Sequence, residues 1–167
     1  MQVIEEPLRD KRQTVNRIFE LSRRFSGDLD RVFVRINGGD YPAASLTLAE
    51  YFDFVKSIPY RRDREPVEIV ARPRIIFTNY LSGIGKDCKK SAVLVGAYLE
   101  KKHVPWRLAV ISTRRDREMH HIFPQADVYF SGDFLNIDAT YSNMHLFSPK
   151  NVTAVEYYVP GLGDIVR

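Results

Sequence analysis

Three side chains that can together perform nucleophilic catalysis occur in order in the second half of the chain. Cys88, the single cysteine of the 167 residues, stands at the first turn of a strongly helical segment. His121 and Asp138 follow, each in a strand-like run. A cysteine opening a helix, a histidine on a strand and a carboxylate on the next strand can build a thiolate nucleophile with an oriented base. The order is therefore compatible with a Cys88–His121–Asp138 triad.

Each of these residues also has a simpler explanation. Most free cysteines are small buried hydrophobes, a single histidine is often a half-buried group with a satisfied hydrogen bond, and an aspartate such as Asp138 can open a turn. The position of Cys88 favours chemistry, because the unpaired amides and dipole of a helix N-terminus stabilise a thiolate. Zinc bound by Cys88, His120 or His121, and Asp138 is an alternative, although no closely spaced pair of ligands supports it.

Side chains alternate between the two faces of a strand, so the two adjacent histidines should lie on opposite faces. His121 shares a face with Phe123, whereas His120 shares the opposite face with Ile122, so one histidine should point inward and its neighbour outward. Asp138 ends a mostly apolar run, where a carboxylate is costly to bury without a partner. An imidazole N–H is a suitable partner and would fix the tautomer of the histidine.

The pattern of apolar residues predicts the elements that must position these side chains. Asp87 is the expected N-cap of a helix that runs to about Lys102 and is apolar around nearly its whole circumference, which indicates a central, buried helix. Thr47 and Glu50 have the spacing of a capping box. The other expectations are a helix from about Pro7 to Phe25, a strand over 31–36, a helix from Thr47 toward Ser57, a proline- and arginine-rich connection over 58–74, and strands over 107–112, 122–130 and 134–137.

A helix bearing a cysteine and packed on an antiparallel sheet is an α+β layout. With 44% hydrophobic residues, the 167 residues fit a single domain. Within it we expect a helical N-terminal subregion over 1–70, a core over 72–142 and a C-terminal extension over 143–167.

The motifs resemble those of the transglutaminase-like (papain-like) cysteine enzyme superfamily, most closely the short versions encoded in bacterial, phage and prophage genomes. Similar segments are Gly85-Lys86-Asp87-Cys88, His103-Val104-Pro105-Trp106-Arg107, His121-Ile122-Phe123 and Asp138-Ala139-Thr140, within a region of about 72–142. The lysines at 86, 89 and 90 depart from the family pattern. They leave the triad intact but imply an unusual substrate mouth or reduced activity. As flexible surface groups, Lys89 and Lys90 should contribute little to the stability of a thiolate.

The resemblance implies a papain-like core and the roles of the residues. Cys88 would attack an amide or peptide carbonyl, His121 would act as base and then acid, and Asp138 would orient His121. The backbone N–H of Cys88 would belong to the oxyanion hole, with Asn79 or Tyr80 as a second donor. No cofactor is implied. Since no amine site is recognisable, hydrolysis through a thioester, as in a cysteine protease, is favoured over acyl transfer.

Composition limits the other function classes. No apolar run approaches the roughly 20 residues of a membrane span, and the acidic, proline-broken N-terminus does not resemble a secretory signal. A single thiol suits the cytoplasm, or a virion if the protein is phage-encoded. No cluster of acidic residues predicts a calcium site. Peptide or protein substrates and other proteins are the expected partners.

Two alternatives remain open from the sequence. The first is a non-catalytic structural or interaction domain with the same fold, for example a phage virion or assembly component. The second is a nucleic-acid binder that uses the basic runs 61–64 and 114–117, consistent with the net charge of +4. Nucleic-acid binding ranks lowest because aspartate interrupts both runs and aromatic residues do not interleave them.

Overall fold

The computed structural model describes residues 10–63, 69–161 and 165–166. Four helices and two antiparallel sheets give an α+β fold, which confirms the predicted class. The helices are α1 (Lys11–Arg24), α2 (Leu48–Ser57), α3 (Pro73–Leu81) and α4 (Cys88–Lys101). The strands are β1 (Phe33–Ile36), β2 (Gly39–Pro42), β3 (Trp106–Ser112), β4 (His121–Ala126), β5 (Leu135–Asn136), β6 (Ala154–Tyr158) and β7 (Ile165–Val166).

Helix α4 is the central element of the core. The Asp87 side chain accepts a hydrogen bond from the Lys90 amide at 2.9 Å, so the predicted N-cap is present. All residues of α4 from Lys90 to Leu99 are buried, as its apolar circumference predicts. Helix α1 packs closely against it at Gly96, where an added Cβ would lie 2.6 Å from both the Ser22 hydroxyl and the Trp106 ring.

The five-stranded sheet supports α4 and carries the two downstream candidate residues. Its strand order is β5–β4–β3–β6–β7, and every neighbouring pair is antiparallel. Leu108, Val110 and Ile122 join the main core that includes α4, whereas Ala109 and Phe123 belong to a second, smaller apolar cluster. The sheet therefore separates the two side-chain faces, as the strand period requires.

Several boundaries differ from the expectations. Helix α1 begins at Lys11, because the side chain of Asp10 caps it, and the expected start near Pro7 lies outside the described residues. Strand β4 ends at Ala126 rather than near residue 130. Helix α3 and strands β2, β6 and β7 were not predicted, so the N-terminal subregion contains a hairpin as well as helices. Within the described residues, no helix has the length and apolar character to cross a bilayer.

Candidate active site

Cys88 lines two cavities and is not fully buried in the apolar core. It is the first residue of α4 and is half-buried. A cavity of about 420 Å³ and another of about 400 Å³ both include Cys88 and His121 among their lining residues. The thiol is therefore accessible at a helix N-terminus, where the helix dipole favours an anion.

The structure brings the three predicted residues together. His121 Nε2 lies 2.7 Å from Asp138 Oδ2, and Cys88 and His121 line the same two cavities. Because Asp138 occupies Nε2, the ring nitrogen left for the sulfur is Nδ1. The amide of Thr140 donates to Asp138 Oδ1 at 3.1 Å, which fixes the second carboxylate oxygen. The imidazole and the carboxylate thus form a hydrogen-bonded pair, and the sulfur lines the same cavities as the imidazole.

The same contacts shift the pKa values of His121 and Asp138 and so determine their charges. Burial lowers the pKa of His121, but the hydrogen bond to Asp138 and the nearby Cys88 outweigh it and raise the pKa to about 9. Burial raises the pKa of Asp138, but its hydrogen bonds with His121 and Lys150 hold that pKa well below the usual range. At neutral pH the site therefore contains a carboxylate and an imidazolium, and an adjacent imidazolium stabilises a thiolate.

Lys86 is a buried structural cation and does not line the substrate mouth. Its side chain is fully buried, and Nζ donates to the carbonyl oxygens of Ala139 and Thr140 at 2.8 Å each. Burial lowers the pKa of Lys86 to about 8, although Asp138, Asp87 and Cys88 act in the opposite direction. This lysine therefore holds the backbone that follows the triad aspartate.

Lys89 and Lys90 are also held by partners, which corrects their interpretation as flexible surface groups. Lys90 is buried and forms an ion pair with Asp63, and Lys89 Nζ lies 3.0 Å from Asp87 Oδ2. Burial raises the pKa of Asp63, but the hydrogen bonds from Lys90 and from the Ile69 amide outweigh it and lower the pKa. These charges fasten the 60–63 segment to the start of α4.

Tyr60 is a candidate site residue that the sequence analysis missed. A parallel bridge joins its backbone to Lys86, with the Lys86 amide donating to the Pro59 carbonyl at 2.9 Å. Tyr60 lines the 400 Å³ cavity beside Cys88, and its ring centroid lies 4.7 Å from that of Tyr141. No local motif marks this contact, because it depends on backbone pairing between distant segments.

Glycine is required where these two segments meet. A Cβ at Gly85 would lie 2.3 Å from the Pro59 carbonyl oxygen and 2.8 Å from Arg61 Cγ. Since real Cβ atoms do not approach backbone oxygens so closely, any side chain at 85 must push the strands apart. The first glycine of the proposed cysteine motif therefore has a packing role at this bridge.

The structure does not support Asn79 and Tyr80 as oxyanion donors. Tyr80 lines a different cavity, together with Phe33 and Phe54, and its ring packs edge-on against Phe54. Neither Asn79 nor Tyr80 is among the described residues that line the two cavities at Cys88. Helix α3 directs these side chains elsewhere.

His120 has the outward position expected of one member of the histidine pair. It is exposed, with Nε2 3.2 Å from the Thr113 hydroxyl and Nδ1 3.1 Å from the Glu118 carbonyl oxygen. Across the described part of the chain, no group of three or more histidine, cysteine, aspartate or glutamate side chains is arranged to hold a metal ion. The zinc alternative thus gains no support there.

The arrangement around Cys88 is suited to covalent chemistry at a carbonyl group. A thiolate can add to the carbonyl carbon, and a neighbouring imidazolium can protonate the leaving group.

Comparisons of the chain with protein-family models, curated proteins and solved structures find no match.

Proposed function

We propose that this protein is a transglutaminase-like cysteine hydrolase that cleaves an amide or peptide bond through a thioester on Cys88. The observation that carries the proposal is the convergence of three side chains: His121 Nε2 lies 2.7 Å from Asp138, and Cys88 lines the same two cavities as His121. Asp138 occupies one ring nitrogen, which leaves the other nitrogen for the thiol. The two cavities at Cys88 leave room for the chain on either side of the scissile bond.

In the acylation step, the Cys88 thiolate attacks the carbonyl carbon and a C–S bond forms. The C–N bond then breaks as the His121 imidazolium gives its proton to the departing amine. The products are a free amine, a thioester on Cys88 and a neutral imidazole. Asp138 stabilises the imidazolium before this transfer and keeps the ring oriented.

In the deacylation step, His121 acts as a base. The neutral imidazole takes a proton from water as the water oxygen attacks the thioester carbon. The C–S bond breaks, the acid is released, and the thiolate–imidazolium pair is restored. This step requires His121 to have lost its proton, so the pKa of His121 governs it directly.

Two donors are placed to stabilise the oxyanion. As the first residue of α4, Cys88 has a backbone N–H without an intrahelical acceptor. Tyr60 is the second donor in our proposal, in place of Asn79 or Tyr80, since it shares the cavity with the sulfur. Burial raises the pKa of Tyr60 to about 12, and Tyr141, Cys88 and Asp87 act in the same direction. The phenol therefore keeps its proton for donation.

Thiol alkylation tests the proposal without a known substrate. At pH 6, iodoacetamide should modify Cys88 rapidly, and His121→Ala should slow the reaction at least about tenfold because the thiolate loses its imidazolium partner. His120→Ala is the control from the same cavities: His120 also lines both of them, but it bonds Thr113 and Glu118 rather than Asp138, so its loss should leave the rate nearly unchanged. Mass spectrometry of the modified chain gives the rate.

Two outcomes would contradict the proposal. One is an inert thiol in the folded wild-type protein at pH 6. The other is an equal rate in the His121→Ala and His120→Ala variants. Either result would favour the alternative of a non-catalytic structural or interaction domain.

A further inference from the structure

Lys150 contacts the carboxylate of the proposed triad from a part of the chain that none of the quoted motifs covers. Its Nζ lies 2.7 Å from Asp138 Oδ2, the same oxygen that His121 Nε2 approaches to 2.7 Å. The ammonium and imidazole nitrogens are therefore no more than twice that distance apart. Asp138 Oδ2 is shared by two cationic partners when His121 is protonated.

Lys150 is held in this position rather than free at the surface. Only 16% of its side chain is exposed, and Nζ also lies 3.2 Å from Met144 Sδ and 5.5 Å from the centre of the Phe123 ring. The segment before it is tied to β5, because the Asn136 side chain donates to the Ser148 carbonyl at 2.8 Å. Its charge is thus a fixed feature of the site.

The surrounding groups define what this charge can do. The titratable groups nearest the carboxylate and the imidazole are Tyr60, Lys86, Cys88, His120, Tyr141 and Lys150. The 420 Å³ cavity that His121 also lines adds the charged residues Asp10, Lys11, Arg62, Lys89, Arg114 and Glu118. The Lys86 ammonium donates hydrogen bonds to two backbone carbonyls, and His120 is hydrogen-bonded to Thr113 and Glu118. Lys150 is therefore the lysine that competes directly with the imidazole for Asp138.

We propose that Lys150 is a positioning residue that acts through Asp138 and limits how strongly the carboxylate holds a proton on His121. An unshared carboxylate would stabilise the imidazolium further. A more stable imidazolium would favour the thiolate during acylation. It would also leave less neutral His121 to act as the base in thioester hydrolysis. By occupying the same oxygen, the ammonium keeps His121 able to serve both steps. This inference rests on the hydrolase proposed above.

The test is an NMR titration of the His121 ring in the full chain. Lys150→Met should raise the pKa of His121 by about one unit, because a cation a few ångströms away no longer opposes the imidazolium. Lys150→Gln, which keeps a donor but no charge, should give the same rise, and it replaces the methionine variant if that one does not fold. Lys150→Arg should keep the wild-type value. Lys101→Met is the matched control, since Lys101 also forms an ion pair but with exposed Asp30.

A second readout reports the same titration through Cys88. Iodoacetate is an anion that the imidazolium attracts, so its reaction with Cys88 should slow as His121 loses its proton. The pH at which this rate falls on the alkaline side should rise by about one unit in the Lys150→Met and Lys150→Gln variants. A purely structural lysine would not move it.

The outcomes separate the two proposals. The thiol could react in a His121-dependent way while the pKa of His121 stays constant or falls in both Lys150→Met and Lys150→Gln. This result would overturn the role of Lys150 alone. An inert thiol in the wild-type protein overturns the hydrolase and, with it, this role. A reactive thiol with the expected rise supports both.

Discussion

The residues at the start of α4 and those around Tyr98 and Leu99 are buried to a similar degree but differ in chemistry. At the N-terminal end, Lys86, Asp87 and Lys90 are buried charged residues, and each has a charged or carbonyl partner. Farther along the helix, Tyr98 and Leu99 are buried among apolar groups, and the Tyr98 phenol donates to the Leu46 carbonyl at 2.7 Å. One helix therefore joins a charged, partly desolvated region to an apolar one.

The difference indicates a division of labour along the helix. Buried charges are costly and weak sources of net stability, even when paired, whereas buried hydrocarbon is the main favourable contribution to folding. The apolar end should therefore carry stability, and the charged end should carry reactivity. Substitutions at the two ends can break or sharpen this comparison.

The largest effect on stability is expected at the apolar end. Leu99→Ala should lower the free energy of unfolding by about 4 kcal/mol, because Leu99 is fully buried and its removal leaves a cavity. Urea denaturation measures the loss, and Leu81→Ala, at a position 84% exposed, should change it by less than about 0.5 kcal/mol. In the folded Leu99→Ala protein, Cys88 alkylation should keep its rate. A large change in that rate would erase the distinction between the two ends.

A pH-dependent effect of nearly the same size is expected at Lys86. Its pKa is about 8 in the folded protein and 10.5 in its ordinary state, so between these values the unfolded chain binds more protons and stability rises with pH. The difference in unfolding free energy, wild type minus Lys86→Met, should therefore increase by about 3 kcal/mol from pH 8 to pH 10.5. Denaturant titrations across this range measure it.

The matched control for Lys86 lies at the other end of the helix. Lys102 is exposed, and Lys102→Met should leave the same difference flat across the range. A flat difference for Lys86→Met as well would mean that its ammonium is solvated like that of a surface lysine. The contrast between the two ends would then lose one of its main supports.

The smallest effects compare one phenol from each end. Tyr98→Phe should cost about 1 kcal/mol of stability through the lost hydrogen bond to Leu46, with no change in peptide hydrolysis. Tyr60→Phe should do the reverse, with little loss of stability and about a tenfold lower rate of hydrolysis of a mixed peptide library. Equal hydrolysis by wild type and Tyr60→Phe would remove Tyr60 from the oxyanion hole.

Local signals predicted the elements that position the site. Asp87 caps α4 as expected, and Thr47 and Glu50 form the complete capping box of α2. The structure places Cys88 and His121 in the lining of the same two cavities and joins His121 to Asp138 by a hydrogen bond, whereas the triad itself stays a prediction. These successes depend on short-range patterns: caps, helical circumference and strand alternation.

The missed features depend on contacts between distant residues or on weak local patterns. Helix α3 is short and begins in a proline- and arginine-rich stretch, where Pro73 at its first turn was the available signal. Lys86 and Lys150 are charged residues that a local pattern assigns to the surface. Their partners lie across the fold, so burial could be inferred only from the tertiary structure.

The glycine at position 85 has a consequence for how this protein can vary. Because the Pro59 carbonyl and the Arg61 side chain occupy the space of a Cβ there, any replacement displaces the segment that carries Tyr60. A side chain at 85 would thus separate the segment that carries Tyr60 from the segment that leads into Cys88. Tolerance to mutation at this position measures how closely these two segments must pair.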